Sequence, residues 1–223
     1  SITVASGAYT DAAGNNGGAG TTPSLSFDTA APSAPVLTLG TGVSNGATSA
    51  EAIAAGGVVT LTAEAGSSVA VTFTGASGTV TKTVTGTGTT AVPVVLTSTE
   101  LSSLGDGTIS VSATATDAAG NASSASTTSF SLDTAAPTLA ITSSASALKI
   151  GETASMTFTF SEVPTGFVAT DITTSGGDLT GLAVSSTDLK VYTATFTPAL
   201  NTNNGSASIT ATSGSYTDAA GNN

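Results

Sequence analysis

The chain has 223 residues, 14 acids against three lysines, no arginine and no histidine, and a formal net charge of -11. Nucleic acid is excluded as a partner, because its recognition needs a basic footprint, and an anionic membrane surface would repel such a chain. Cysteine is absent as well, so disulfides and zinc sites built on Cys or His are excluded, and hard ions held by oxygens are the remaining inorganic stabiliser.

Hydrophobic residues make up 39% and charged residues 8%, too apolar and too uncharged for a disordered chain. No apolar run approaches the roughly 20 residues of a membrane span. The first residue is Ser1 and no secretory leader opens the chain, which reads as the middle of a longer secreted protein.

The opening stretch, 1–30, reads as the closing strands of a repeat. It carries Thr10-Asp11-Ala12-Ala13-Gly14-Asn15, then a stretch at 22–28 with the look of a final strand, then Phe27-Asp28-Thr29-Ala30-Ala31-Pro32. Residues 31–134 read as one complete unit. Short β-branched, alternating runs bounded by Gly, Ser, Asn and Asp predict strands at 35–39, 58–63, 69–74, 80–85, 92–96, 108–116 and 126–132. Residues 101–104 read as a single helical turn. Within the unit the hexapeptide returns as Thr116-Asp117-Ala118-Ala119-Gly120-Asn121 and the linker as Leu132-Asp133-Thr134-Ala135-Ala136-Pro137.

Residues 135–223 repeat the plan, with strands predicted at 139–143, 154–160, 171–173, 191–196 and 207–212 and the final strand missing. The hexapeptide recurs as Thr217-Asp218-Ala219-Ala220-Gly221-Asn222. The hexapeptide aspartates are 106 and 101 residues apart. A period near 100 with about seven strands predicts tandem immunoglobulin-like Greek-key β-sandwiches, an all-β fold. Residues 1–16 and 208–223 are nearly the same sequence, 207 residues apart. Either the chain is a window on a longer array, or the 22–28 strand of one molecule completes the sandwich of the next by strand addition. The first is preferred, because residues 1–4 would duplicate a strand already present.

In a sandwich of this topology the entry linker and the loops after strands 2 and 6 meet at one end. That brings together Asp28, Glu64 and Asp117 at the first junction and Asp133, Glu162 and Asp218 at the second, with Asn121 and Asn222 beside them. Converging carboxylates repel unless neutralised, and Ca²⁺ accepts six to eight oxygens in irregular geometry, which Mg²⁺ does not. The competing account makes Asp11, Asp117 and Asp218 Asx-turn residues and Asp28 and Asp133 strand caps. Asp106 reads as a turn residue able to add a ligand near Asp133, and Glu51 and Glu100 read as solvated.

The Asp-Thr-Ala-Ala-Pro linker, the Thr-Asp-Ala-Ala-Gly-Asn loop and Phe158-Thr159-Phe160-Ser161-Glu162 together resemble bacterial Ig-like tandem repeats of large secreted adhesins and biofilm-associated proteins. The resemblance implies an extracellular stalk at the cell surface, made rigid by Ca²⁺ at linkers through Asp28, Glu64, Asp117, Asp133, Glu162 and Asp218. It also implies that the neighbours of each repeat are repeats of the same chain, with a distal ligand elsewhere. The segment 40–51 departs from the pattern, which often carries more acids there.

Three other functions weigh less. A sugar- or receptor-binding module would want exposed aromatics, yet there is no Trp, and Tyr9 and Tyr216 occupy matching repeat positions. Catalysis lacks His, Cys and any lysine beside a serine motif. Ice binding would need a flat Thr array beyond the alternation at 80–87. Self-association into a filament or sheet stands as the neighbouring alternative.

Overall fold

The structure is a computed structural model and describes residues 1–201 and 205–223. In chain order its elements are β1 (Thr3–Val4), β2 (Gly20–Thr21), β3 (Val36–Leu39), α1 (Ser49–Ala52), β4 (Val59–Thr62), β5 (Ser68–Thr74), β6 (Thr79–Thr85), β7 (Val92–Val94), α2 (Ser98–Leu104), β8 (Gly107–Thr116), β9 (Ser126–Leu132), β10 (Leu139–Ser143), β11 (Ala154–Phe160), β12 (Ile172–Ser175), β13 (Gly177–Val184), β14 (Val191–Pro198) and β15 (Ser208–Ala211). A 3₁₀ turn, Val43–Asn45, precedes α1, and another, Ala169–Asp171, precedes β12. Among the described residues no helix is long and apolar enough to cross a membrane.

The period-2 pattern sets the strands. In β5 the residues Val69, Val71 and Phe73 are buried while Ser68, Ala70 and Thr74 are exposed. In β8 Ile109, Val111, Ala113 and Ala115 face inward. A strand with one apolar face must lay that face on a second sheet. The sheets β3-β4-β7 and β6-β5-β8-β9 do so around a core that includes Phe73, Leu61, Leu96, Leu104 and Phe130.

The second sandwich has β10-β11-β14-β13 as one sheet and β12-β15 as the other. In immunoglobulin lettering these are A-B-E-D and C-F among the described residues. In the first sandwich β8 is F and β9 is G, paired from Gly107 opposite Leu132 to Ala113 opposite Ser126. The second core is more aromatic. Phe158, Phe160, Phe167, Tyr192 and Tyr216 meet mostly edge to face, with ring centroids 4.9–5.8 Å apart. The two cores share no residue.

Several expected boundaries shift. The predicted turn at 101–104 is the second half of α2, which starts at Ser98 because Thr97 and Glu100 form a capping box. Thr48 and Glu51 do the same for α1, an element the strand pattern gave no hint of. Glu51 and Glu100 are therefore capping residues rather than solvated ones, since a Thr-x-x-Glu run satisfies two helix N-terminal donors at once. Glu100 also pairs with Lys82 at 2.6 Å, the one ion pair among the described residues. Strand β13 was unforeseen because Gly177 and Gly181 interrupt its pattern; the register shifts between Thr180 and Ala183, where Gly181 has φ 69°. Residues 22–28 form no strand in this molecule; Leu25 and Phe27 are each 85% exposed. Gly20 and Thr21 pair with Val4 and Thr3, and the Thr22 amide donates to the Ile2 carbonyl at 2.9 Å.

Phe73 and Phe158 are both fully buried, one in each core. Truncating either to alanine removes a ring and leaves a cavity, at a cost of about 3–5 kcal/mol. We predict that Phe158→Ala lowers the melting transition of the second sandwich and leaves that of the first in place, with Phe73→Ala doing the reverse. Calorimetry on the two variants checks it; a single transition moving equally in both would refute independent cores.

Candidate metal centre

The hexapeptide loop is built the same way three times. In each, the aspartate amide donates to the carbonyl of the asparagine four residues on: Asp11 to Asn15, Asp117 to Asn121 and Asp218 to Asn222, at 3.0–3.1 Å. In each, the asparagine amide and side chain donate back to the aspartate carboxylate, at 2.7–3.0 Å. A short acceptor side chain bonding its own backbone ahead is the Asx-turn chemistry expected of the residue type. These donors hold the Asp11 and Asp117 carboxyls below their ordinary range, the asparagine side-chain bond first. Burial pushes Asp218 up, but the bonds from Asn222 and from the Gly221 and Ala220 amides outweigh it, and its carboxyl also lies low.

At two of the three loops the asparagine reaches further. Asn121 Nδ2 donates to the Asp28 carbonyl at 3.2 Å, and Asn222 Nδ2 donates to the Asp133 carbonyl at 3.0 Å. Each loop is thereby tied to the linker about 90 residues before it.

The linker around Asp133 is held from both sides. From the first sandwich, Asp106 accepts from the Thr134 amide and hydroxyl at 3.1 and 2.9 Å, and the Ala47 carbonyl accepts from the Asp133 amide at 3.0 Å. From the second, Ser161 Oγ accepts from the Thr138 amide at 2.9 Å, and the Ser161 amide donates to the Thr138 carbonyl at 3.0 Å. Asp106 is a linker anchor. The segment 40–51 has a structural part: a β-carbon at Gly46 (φ 113°) would lie 3.3 Å from Cβ of Ala220, and one at Gly221 would lie 3.8 Å from Thr48 Cγ2. The first sandwich thus touches the hexapeptide loop of the second.

These ties gather Asp133, Glu162 and Asp218. One carboxylate oxygen from each lies within 4.8 Å of the others, with Asp218 buried and the other two partly buried. Burial first, then the charges of Asp218 and Asp133, push the Glu162 carboxyl above its ordinary value. Among the described residues no lysine pairs with the cluster; the one ion pair joins Lys82 to Glu100. A set of hard, deprotonable oxygens without an internal counter-charge fits a divalent cation, Ca²⁺ above softer metals.

The matching trio at the first junction does not form such a group among the described residues. Asp117 and Asp28 are joined through Asn121, but Glu64 is exposed. The reason lies one residue earlier. Ser161 clamps its loop to the linker, whereas Ala63 has no hydroxyl, and its turn is drawn instead toward Gly86 through the Gly66, Gly86 and Gly88 amides. The residues not foreseen as site builders are Ser161, Ala47 and Thr134. The signal for Ser161 was the Ser-Glu pair after Phe160, which the first unit replaces with Ala63-Glu64. Tyr216 packs against Phe160 and Phe167 in the second core, whereas Tyr9 lies against Gly17 and is 57% exposed.

Comparison with known proteins follows this geometry. Residues 133–223 match the family described as Bacterial Ig-like domain. Among solved structures, the chain is similar to one described as the tetra-tandem repeat in the extending region of a large adhesion protein, at 22% identity and TM-score 0.36, over 92% of this chain and 46% of that one. The chain thus spans about half the length of that structure. No curated protein matches.

The sign of the cluster's pH dependence follows from linkage. Native Glu162 keeps its proton to higher pH than unfolded Glu162, so stability falls as pH rises from the ordinary glutamate range through the raised value. Asp218 acts oppositely, adding stability above the ordinary aspartate range that is lost as pH falls through its lowered value. In chelator near neutral pH, Glu162→Gln is predicted to raise the melting temperature of the second sandwich and to flatten the decline between the ordinary glutamate range and the raised value. Thermal melts across pH, with and without the substitution, decide it; parallel curves would show that the acids do not repel.

Proposed function

We propose that this chain is a spacer segment of an extracellular bacterial adhesin. In this reading 31–134 and 135–223 are tandem Ig-like repeats, 1–30 closes a preceding one, and a Ca²⁺ ion locks the second junction. The observation that carries it is the gathering of Asp133, Glu162 and Asp218 at the linker between two sandwiches. The match of residues 133–223 to a bacterial Ig-like domain supports the repeat reading.

The mechanism is a loss of linker freedom. Asp133 belongs to the linker, Glu162 to the loop after β11, and Asp218 to the hexapeptide loop. An ion held by all three would join the linker to the second sandwich, in addition to the Asn222 and Ser161 hydrogen bonds. Bound Ca²⁺ would supply the positive charge that the three acids lack. The residues do the positioning: Asn222 orients Asp218, Ser161 sets the Glu162 loop on the linker, and Asp106 anchors Thr134 from the other side. A stiff junction repeated along an array projects a distal binding domain away from the cell surface.

A ligand that binds the native state alone raises stability by about 2.7 kcal/mol at a hundredfold excess over its Kd. We therefore predict that millimolar Ca²⁺ raises the melting temperature of the second sandwich and lengthens the particle in small-angle scattering. Glu162→Gln and Asp218→Asn should each remove both effects. Lowering pH through the raised Glu162 value should weaken binding, because the ligand must be deprotonated. Calorimetric titration that shows no Ca²⁺ binding at neutral pH would sink the proposal.

A further inference from the structure

Strand β6 is an edge of the four-stranded sheet of the first sandwich and pairs with β5 alone. Unpaired backbone groups recruit other strands, so folds blunt such edges with proline, a bulge or a short length. β7 carries Pro93, and β13 is broken by its register shift between Thr180 and Ala183. β6 has none of these devices. Its seven residues run in unbroken register, without proline or glycine.

Hydrogen-bond alternation decides which backbone groups are free. The Gly75 amide donates to the Gly78 carbonyl, and the Gly86 amide donates to the Ser67 carbonyl. The hydrogen-bonded pairs between them are therefore Val80 with Phe73, Lys82 with Val71 and Val84 with Val69. The amides and carbonyls of Thr79, Thr81, Thr83 and Thr85 point to the open side, where no backbone group of the described residues meets them.

The edge is complementary to itself. Gly78-Thr79-Val80-Thr81-Lys82-Thr83-Val84-Thr85-Gly86 reads the same in both directions. Two copies laid antiparallel about a two-fold axis at Lys82 set Thr81 opposite Thr83, and Thr79 opposite Thr85, of the other copy. Those are the residues whose backbone groups point outward, so this register forms about eight hydrogen bonds. On the solvent face threonine meets threonine. On the inner face Val80, packed only partly against its own core, meets Val84 of the other copy; both kinds of pair stabilise a sheet. Lys82 faces its counterpart on the axis, and each ammonium arrives already paired with Glu100 of its own chain, at 2.6 Å. In a chain of net charge -11, this strand holds no acid to repel a second copy.

We propose that two copies of this chain pair antiparallel along β6 and join their four-stranded sheets edge to edge. The contact is isologous, so it closes as a dimer and does not propagate. It uses none of the acids of the cation cluster and stands independently of the calcium reading.

The test uses the full chain. Sedimentation should show the mass rising with concentration from the 21.0 kDa monomer to a plateau at about twice that value, as a closed two-fold contact requires. Thr81→Glu with Thr83→Glu sets acid opposite acid across the axis and should hold the protein monomeric. Its melting profile should not change, because both side chains are exposed. Thr81→Lys with Thr83→Lys should be monomeric as well, and mixing the two variants should restore the dimer. The chain has no cysteine, so Thr81→Cys with Thr83→Cys should give a covalent dimer on oxidation. Thr127→Cys with Ser129→Cys, on the exposed face of the other edge strand β9, is the control. A wild-type chain monomeric to millimolar concentration would overturn the proposal, as would growth past the dimer. So would a mixture of the charged variants that stays monomeric, or a β6 cysteine pair that cross-links no more than the control.

Discussion

The amide of one asparagine, Asn222, sets the geometry of the second junction. It donates to the Asp218 carboxylate and to the Asp133 carbonyl at once, 2.7 and 3.0 Å away. The first bond shapes a loop; the second attaches that loop to a linker 89 residues earlier. A charge-assisted bond to a carboxylate is stronger than a neutral one, so the loop is shaped firmly before it reaches the linker. Around this attachment Asp133 lies beside Asp218, and Glu162 sits on the loop that Ser161 fastens to Thr138.

The first junction has the same asparagine device and a different outcome. Asn121 bridges Asp117 and the Asp28 carbonyl, but Glu64 is exposed. A shared hexapeptide therefore supplies linker attachment at both junctions, and the acid cluster forms at the one where Ser161 also bonds the linker. Attachment of the loop and clustering of the acids are therefore separate features of the two junctions. In a chain with 8% charged residues, three acids at one point are an arrangement that folding holds in place against their mutual repulsion.

The two sandwiches reach stability by different routes. The first fills its core mainly with aliphatic side chains and closes one end with two short capped helices. The second relies on a cluster of aromatic rings in edge-to-face contact, a geometry that adds about 0.5–1.5 kcal/mol per pair beyond burial. That cluster includes Tyr216, two residues before Asp218, so the packing of the second core and the position of the hexapeptide loop are coupled.

Sequence periodicity determined most of the strands, because alternation of apolar and polar residues is a local property. β9, β10 and β11 stand at the predicted residues, and the hexapeptide repeat announced its turn through the Asp-to-Asn spacing. The convergence of Asp133, Glu162 and Asp218 was legible from topology alone, since reversing strands must return their loops to the same end. What local pattern could not reveal was which carboxylates close the last few ångströms. That depended on Ser161 against Ala63, on Asp106 and Ala47 holding the linker, and on contact between Gly46 and Ala220, all of them pairings across long sequence separation. Strand β13 escaped for a related reason: its glycines weaken the pattern, and only the neighbouring β14 makes it a strand. Tertiary structure decided these points because a hydrogen bond or a bulge at one site is selected by a partner that its own sequence window does not contain.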